Sequence, residues 1–223
     1  NTAIDPSYDP YQLLRVYTYY RVLLGSLLLL IYRSNLASNV LGSENASLFV
    51  YTTWTYTIVS LVTLITLWRN RSTPTLQQRF LAILSDIISI ILTMYASGGA
   101  TSGLGYLLIV AVAAAGMLLP AQLAVFMAAL ATIALIGESL VHHLVSGVDS
   151  KALFVAGSLG AMIFITALTF QYVTRKIRDS SDKLAAHAQH IAHLQKLARL
   201  IVERMRTGIV VLNKNDDIEL INE

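Results

Sequence analysis

Six apolar helices in a membrane, continued by one charged helix and a short hairpin, make up the all-α polytopic fold that this sequence predicts. Three observations predict it. Hydrophobic residues make up 55% of the 223 positions and charged residues only 13%, a balance foreign to soluble domains. Between positions 80 and 137 the only charged side chain is Asp86. From Thr174 onward, charge returns at nearly every turn. The absence of cysteine excludes disulfides and thiolate metal sites. No cleavable signal peptide is expected, because Ala37 and Ser38 lack a cleavage context and apolar segments continue far beyond them.

The spans are expected at Tyr17–Ser34, Leu48–Trp68, Phe80–Ala96, Leu104–Leu119, Gln122–Leu140 and Ala152–Val173. About 20 apolar residues cross a hydrocarbon core of about 30 Å. The third and fourth segments are short and call for tilt or local thinning. Pro120 separates the fourth from the fifth, since proline has no N–H to continue a helix. Arg15, Arg21, Arg69, Arg71, Arg79, Arg175, Lys176 and Arg178 fall on one side of this topology, and only Arg33 and Lys151 on the other. The positive-inside rule then places both termini in the cytoplasm. Tyr17, Tyr19, Tyr20, Tyr51, Trp54, Trp68 and Tyr172 sit near span ends, where an aromatic ring meets both acyl chains and water. The external loops, Asn35–Ser47, Ser97–Gly103 and Val141–Lys151, are too short for a ligand-binding domain.

Polar residues within these spans are the candidates for function. Asp86 heads a helical face continued by Ser89, Thr93 and Ser97. An ionised carboxylate at that depth must be paired, hydrated, neutralised or turned to the bundle interior. Three readings stay open: a structural hydrogen bond, recognition of a transmembrane partner, or a proton or ion path. Glu138 lies near the outer end of the fifth span with His142 and His143 nearby, the setting of an interfacial network. Asp86 and Glu138 are expected near opposite surfaces. Gly98, Gly99, Gly103 and Gly105 mark a tight outer turn or a contact element. No lysine stands where a phosphate loop needs one. Asn45-Ala46-Ser47 is a glycosylation triplet, a pattern frequent by chance. Ala156–Gly160 and Gly157–Ala161 allow a close helix crossing in the sixth span.

Beyond the last span a sparse heptad runs through Ile177, Leu184, Ile191, Ala198 and Met205, with Leu194 and Ile201 on the companion seam. This spacing predicts a parallel two-stranded coiled coil, weakened by Ser180, His187 and Ala198. His187, His190 and His193 lack the companion ligands of a metal site. Gly208 caps the helix. Ile209–Leu212 and Ile218–Asn222 then read as strands around a polar turn. Two strands cannot form a core alone, so further chain is expected beyond Glu223.

Several segments carry a resemblance. Tyr17-Thr18-Tyr19-Tyr20-Arg21, Asp86, Tyr95-Ala96-Ser97-Gly98-Gly99, Ser102-Gly103-Leu104-Gly105, Val112-Ala113 and Arg204–Val211 stand in an order that resembles the PilS family of type IV pilus sensor histidine kinases. The resemblance implies a six-span sensor over 1–173, a coiled-coil signalling helix over 174–207 and the incomplete first hairpin of a PAS domain over 208–223. It further implies a homodimer that senses pilin in the membrane and controls a response regulator of pilin transcription. ATP and Mg2+ would belong to a kinase domain outside these residues, which themselves hold no cofactor, metal or catalytic group. Lipid is the surrounding partner, and no nucleic acid is contacted directly. The alternatives are a small transporter or channel, or a similar sensor with another output.

Overall fold

The computed structural model describes residues 10–34, 36–37, 39–70, 74–146, 151–204, 210–212 and 218–221. They fall into two compact units, Tyr8–Arg175 and a second that includes Lys176–Glu223.

The first unit is a helical bundle. Its elements are α1 (Pro10–Arg33), α2 (Ala46–Asn70), α3 (Leu76–Tyr95), α4 (Leu107–Leu118), α5 (Ala121–Ser146) and the first part of α6 (Lys151–Arg204). Helix α1 packs on α2 and α4, while α3 packs on α2, α4 and α5. Side chains such as Ile133, Phe154 and Leu23 stand 70%, 79% and 64% exposed. Such a surface belongs in acyl chains rather than water, where large contiguous apolar patches are rare.

The expectation of six spans needs correction. Among the described residues five helices are long and apolar enough to cross a membrane: Tyr11–Arg33, Ala46–Arg69, Leu76–Tyr95, Ala121–Leu144 and Ala152–Ile177. Helix α4 has 12 residues, and at 1.5 Å each they reach only about 18 Å. Its sequence is as apolar as its neighbours', so composition hid the difference. The cause is local. Gly98, Gly99 and Gly103 adopt positive φ of 91°, 74° and 79°, which turns the chain through two 3-10 segments, Gly99–Ser102 and Leu104–Tyr106, before α4 begins. At the other end Leu119 is extended (φ −109°, ψ 157°), as a residue before proline prefers to be.

This short helix is covered by protein along most of its length, with Val110 exposed. Leu108, Ala111, Val112, Ala115 and Leu118 are buried. A Cβ on Gly105 would lie 3.0 Å from Leu159, 3.4 Å from Met94 and 3.7 Å from Leu135. Helices α3, α5 and α6 therefore converge on the start of α4. One on Gly116 would lie 2.9 Å from Phe170 of α6. Irregular backbone at membrane depth is tolerated when other helices cover it. The Arg79 Nη1 group, near the start of α3, donates to the Leu118 carbonyl at 2.8 Å. So α4 begins beside the end of α3 and finishes beside its start.

The second unit contains the later part of α6 and two short strands, β1 (Val210–Leu212) and β2 (Ile218–Ile221). The strands pair antiparallel, with an irregularity between Val211 and Leu212. The expected PAS hairpin is not supported by this ribbon, since among the described residues the two strands stand alone and two strands are not a domain. The fold class is corrected accordingly, to an all-α membrane protein with about five spanning helices. Met205 and the expected cap Gly208 lie outside the described residues.

Candidate functional site: a buried ion pair between α1 and α3

Helix α3 opens with a capping box. Thr75 Oγ1 accepts the Gln78 N–H at 3.3 Å, and Gln78 Oε1 accepts the Thr75 N–H at 3.1 Å, so two otherwise orphaned donors are satisfied. From that fixed start, Ala82, Ile83, Asp86, Ile87, Ile90, Thr93 and Met94 form the buried face. Asp86 is thereby turned away from lipid and toward α1.

There it meets Arg21. The Nε atom of Arg21 lies 2.6 Å from Asp86 Oδ1, and the two side chains are 0% and 2% exposed. Arg21 Nη2 donates to Ser85 Oγ at 2.7 Å, and the Ser85 hydroxyl donates in turn to the Ala82 carbonyl at 2.7 Å. On the other carboxylate oxygen, Oδ2, Asp86 accepts a hydrogen bond from the Tyr17 hydroxyl. The Tyr56 ring of α2 lies 5.4 Å from the Arg21 guanidinium carbon, a cation–π distance. Tyr17 and Arg21 are four residues apart on α1 and therefore share a face. The lone carboxylate of the 80–137 stretch is thus neutralised by an arginine of another span.

The rest of the expected polar face serves other partners. Thr93 Oγ1 donates to the Ser89 and Ile90 carbonyls of its own helix. Ser97 Oγ accepts the Gly42 N–H at 3.0 Å. The Glu44 and Asn45 N–H groups both reach the Ala96 carbonyl at 3.1 Å. Ser97 therefore ties the α1–α2 connection to the end of α3, a task separate from Asp86. Neither Ser89 nor Thr93 completes the ion pair.

Glu138 stands under the glycine turn. A Cβ on Gly99 would sit 3.0 Å from Glu138 Oε1 and 3.5 Å from His142 Cδ2. Ser139 Oγ lies 3.4 Å from Glu138 Oε2, and His142 Nε2 lies 3.8 Å from Glu44 Oε1. This second cluster joins the α1–α2 connection, the glycine turn and α5. It does not include Asp86. Gly98 and Gly103 shape the turn, whereas Gly105 serves the packing at the start of α4. Of the two small-residue pairs in α6, Ala156 and Gly160 are buried inside this chain, where a Cβ on Gly160 would lie 2.7 Å from Thr132 Cγ2. Gly157 has nothing within 4 Å.

Sequence reasoning used Arg21 as an orientation marker and Tyr17 as a belt residue, and missed both as partners of Asp86. The signal was present: a lone acid within one span demands a cation, and Arg21 lies three turns inside α1. Among the described residues no group of three or more His, Asp or Glu is arranged to hold a metal ion.

Residues 7–184 match the family described as the PilS-like transmembrane domain. The chain belongs to that family. Across 212 residues the PilS-like chain is 32% identical to Sensor protein kinase PilS of Pseudomonas aeruginosa, which covers 95% of this chain but 39% of that relative. No solved structure matches. The matched region holds the ion pair, the glycine turn and the first heptad positions of the PilS-like chain. Of its seam, Ile177, Ile191 and Leu194 are exposed at 47%, 56% and 51%, and Leu184, Ala198 and Ile201 also lie on α6.

Proposed function

We propose that this chain is the signal-receiving region of a two-component sensor histidine kinase, and that its signal is pilin within the bacterial inner membrane. The observation that carries the reading is the family match over 7–184, together with the relative named as a sensor protein kinase. Since the chain spans 39% of that relative, kinase activity, ATP and the cognate response regulator belong to the longer protein. The regulator then governs pilin transcription.

Three features support the physical route. The Arg21–Asp86 pair resists separation of α1 from α3, because parting two buried charges exposes both to an apolar medium. Gln171 Nε2 of α6 donates to the Ala121 carbonyl at 3.1 Å, beside the Pro120 break that also follows the Arg79–Leu118 contact. One continuous helix, α6, contains both the last span and the heptad seam. A pilin helix lying against the bundle shifts α6, and the shift changes the pairing of the Ile177–Met205 seam in a homodimer. Two coil packings separated by only a few kcal/mol are enough for a switch. With α4 carrying the chain back from the end of α3 to its start, the arginine and lysine distribution supports cytoplasmic termini. Engagement of Asp86 by Arg21 and Tyr17 counts against an open ion path.

The test is a four-residue insertion after Ser181 in the full-length kinase. Four residues rotate the downstream seam by about 40° relative to the span. Pilin-promoter output is expected to stop following pilin level while membrane insertion persists. Output that still follows pilin would refute the α6 route, and absence of pilin crosslinks to the wild-type bundle would refute the signal.

A further inference from the structure

A cavity of about 420 Å³ lies among α1, α2 and α3. Its inner wall includes Arg21, Ala82 and Leu14, which are buried, and its outer wall includes Val59, Leu81 and Gln78, which are exposed. It therefore opens sideways, on the surface of the bundle that faces acyl chains. Cavities this size hold a substantial part of a small ligand.

The chemistry of the wall is one-sided. Thr63 and Thr66 spend their hydroxyl protons on carbonyls of their own helix, Val59 and Thr63. Gln78 spends its carbonyl oxygen in the capping box, which leaves its NH2 group as a donor. Arg21 commits Nε to Asp86 and Nη2 to Ser85, while Nη1 is buried with no hydrogen-bond partner at bonding distance. A buried guanidinium nitrogen without an acceptor is costly. The same end of the bundle carries Arg15, Arg69 and Arg79, each within two residues of a lining position, and both Arg15 Nε and Arg79 Nε are also buried without a partner. Helices α1, α2 and α3 hold one acid among them, Asp86, already engaged. The wall thus combines surplus donors and positive charge with apolar stretches at Leu14, Val59, Leu67 and Leu81.

We infer that this cavity binds an acid-headed amphiphile, a phosphate or carboxylate carried on an acyl chain. The acid oxygens accept from Arg21, Gln78 donates to the rest of the headgroup about two turns away along α3, and the chain lies along the apolar wall. A zwitterionic headgroup such as that of phosphatidylcholine has the same phosphate but adds a quaternary ammonium that the three flanking arginines repel. A free anion lacks the chain that the apolar wall is shaped to cover.

Native mass spectrometry of the purified chain in neutral detergent tests this. The probes are dioleoylphosphatidylglycerol, oleate, dioleoylphosphatidylcholine and inorganic phosphate. Phosphatidylglycerol is expected to bind at least tenfold more tightly than phosphatidylcholine, with oleate nearer the former. Thr63→Phe fills the cavity and should abolish that preference. Gln78→Glu keeps the capping-box acceptor, replaces the NH2 donor by a carboxylate and should reduce the preference at least threefold. Equal binding of the two phospholipids to the unaltered protein would overturn the inference, whatever the variants do. So would an undiminished preference in a folded Thr63→Phe protein. Displacement of phosphatidylglycerol by millimolar inorganic phosphate would show a simple anion site and overturn the amphiphile.

Discussion

Replacing Asp86 by leucine removes one half of a pair whose other half has nowhere to go. Arg21 is 0% exposed, so its charge stays buried and uncompensated, which costs about 3–5 kcal/mol in comparable pairs. The Tyr17 hydroxyl loses its acceptor as well, adding about 1–3 kcal/mol when no water replaces it. A total of about 4–8 kcal/mol is large against the about 5–15 kcal/mol that holds a typical domain. Asp86→Asn keeps one acceptor oxygen, for Tyr17 or for Arg21 but not for both, and should fall near the lower end, about 3 kcal/mol. The decisive variant is the double exchange Arg21→Met with Asp86→Leu. It removes both charges, and apolar replacement of a whole buried pair is often neutral or favourable by about 1–4 kcal/mol. The double variant should therefore recover most of the stability that the single variant loses.

The assay is thermal or denaturant unfolding of the purified membrane region in detergent, arranged as a double-mutant cycle. Strong negative coupling between the two sites is the expected result. If the double variant were as unstable as the two single losses added together, the pair would carry no interaction energy and the packing account would fail. The same variants separate structure from signalling. A stable double variant that no longer answers to pilin would give the charges a role in reception; normal regulation would leave them structural.

Three further outcomes follow from the packing. Gly99→Ala places a side chain at φ 74° and 3.0 Å from Glu138 Oε1, so a loss of about 1–2 kcal/mol is expected in unfolding measurements. Arg79→Leu removes a charged donor from the Leu118 carbonyl at the end of α4, for about 1.5–3 kcal/mol, and proteolysis near Pro120 should become faster. Gly160→Val drives a branched side chain into Thr132, 2.7 Å from where its Cβ would stand; the overpacking costs about 1–3 kcal/mol, whereas Gly157→Val, with nothing within 4 Å, should leave monomer stability unchanged.

The membrane character, five of the segments and the lone acid were legible in the sequence because each rests on composition or period. The length of α4 was not. Leu104–Leu119 is uniformly apolar, and only the left-handed backbone at Gly98, Gly99 and Gly103 shows that residues before Leu107 are spent on turns. Periodicity placed Ser89, Thr93 and Ser97 on one face with Asp86, but it could not say which of them reach across to a neighbour. The Arg21 side chain was misread for a related reason. The positive-inside rule counts arginines near span ends and is blind to one that turns inward. Finding its partner requires knowing that α1 packs beside α3, and nothing local in either segment encodes that adjacency.

The two polar clusters divide the work of the bundle between its ends. At one end Tyr17, Arg21, Ser85 and Asp86 fasten α1 to α3 by charge, where a displaced contact is costly and therefore discrete. At the other, Gly99, Glu138, His142 and Glu44 gather around a turn whose backbone has few alternatives. Between them runs α4, too short to define the membrane on its own and held at its end by Arg79. The chain leaves α4 through Pro120 and enters α5 beside the carbonyl that Gln171 holds, so two hydrogen bonds and a proline break connect α3 to α6. Double variants of Arg79 and Gln171 should accordingly couple more strongly in signalling than in stability. Equal coupling in both would mean that the route is only scaffold.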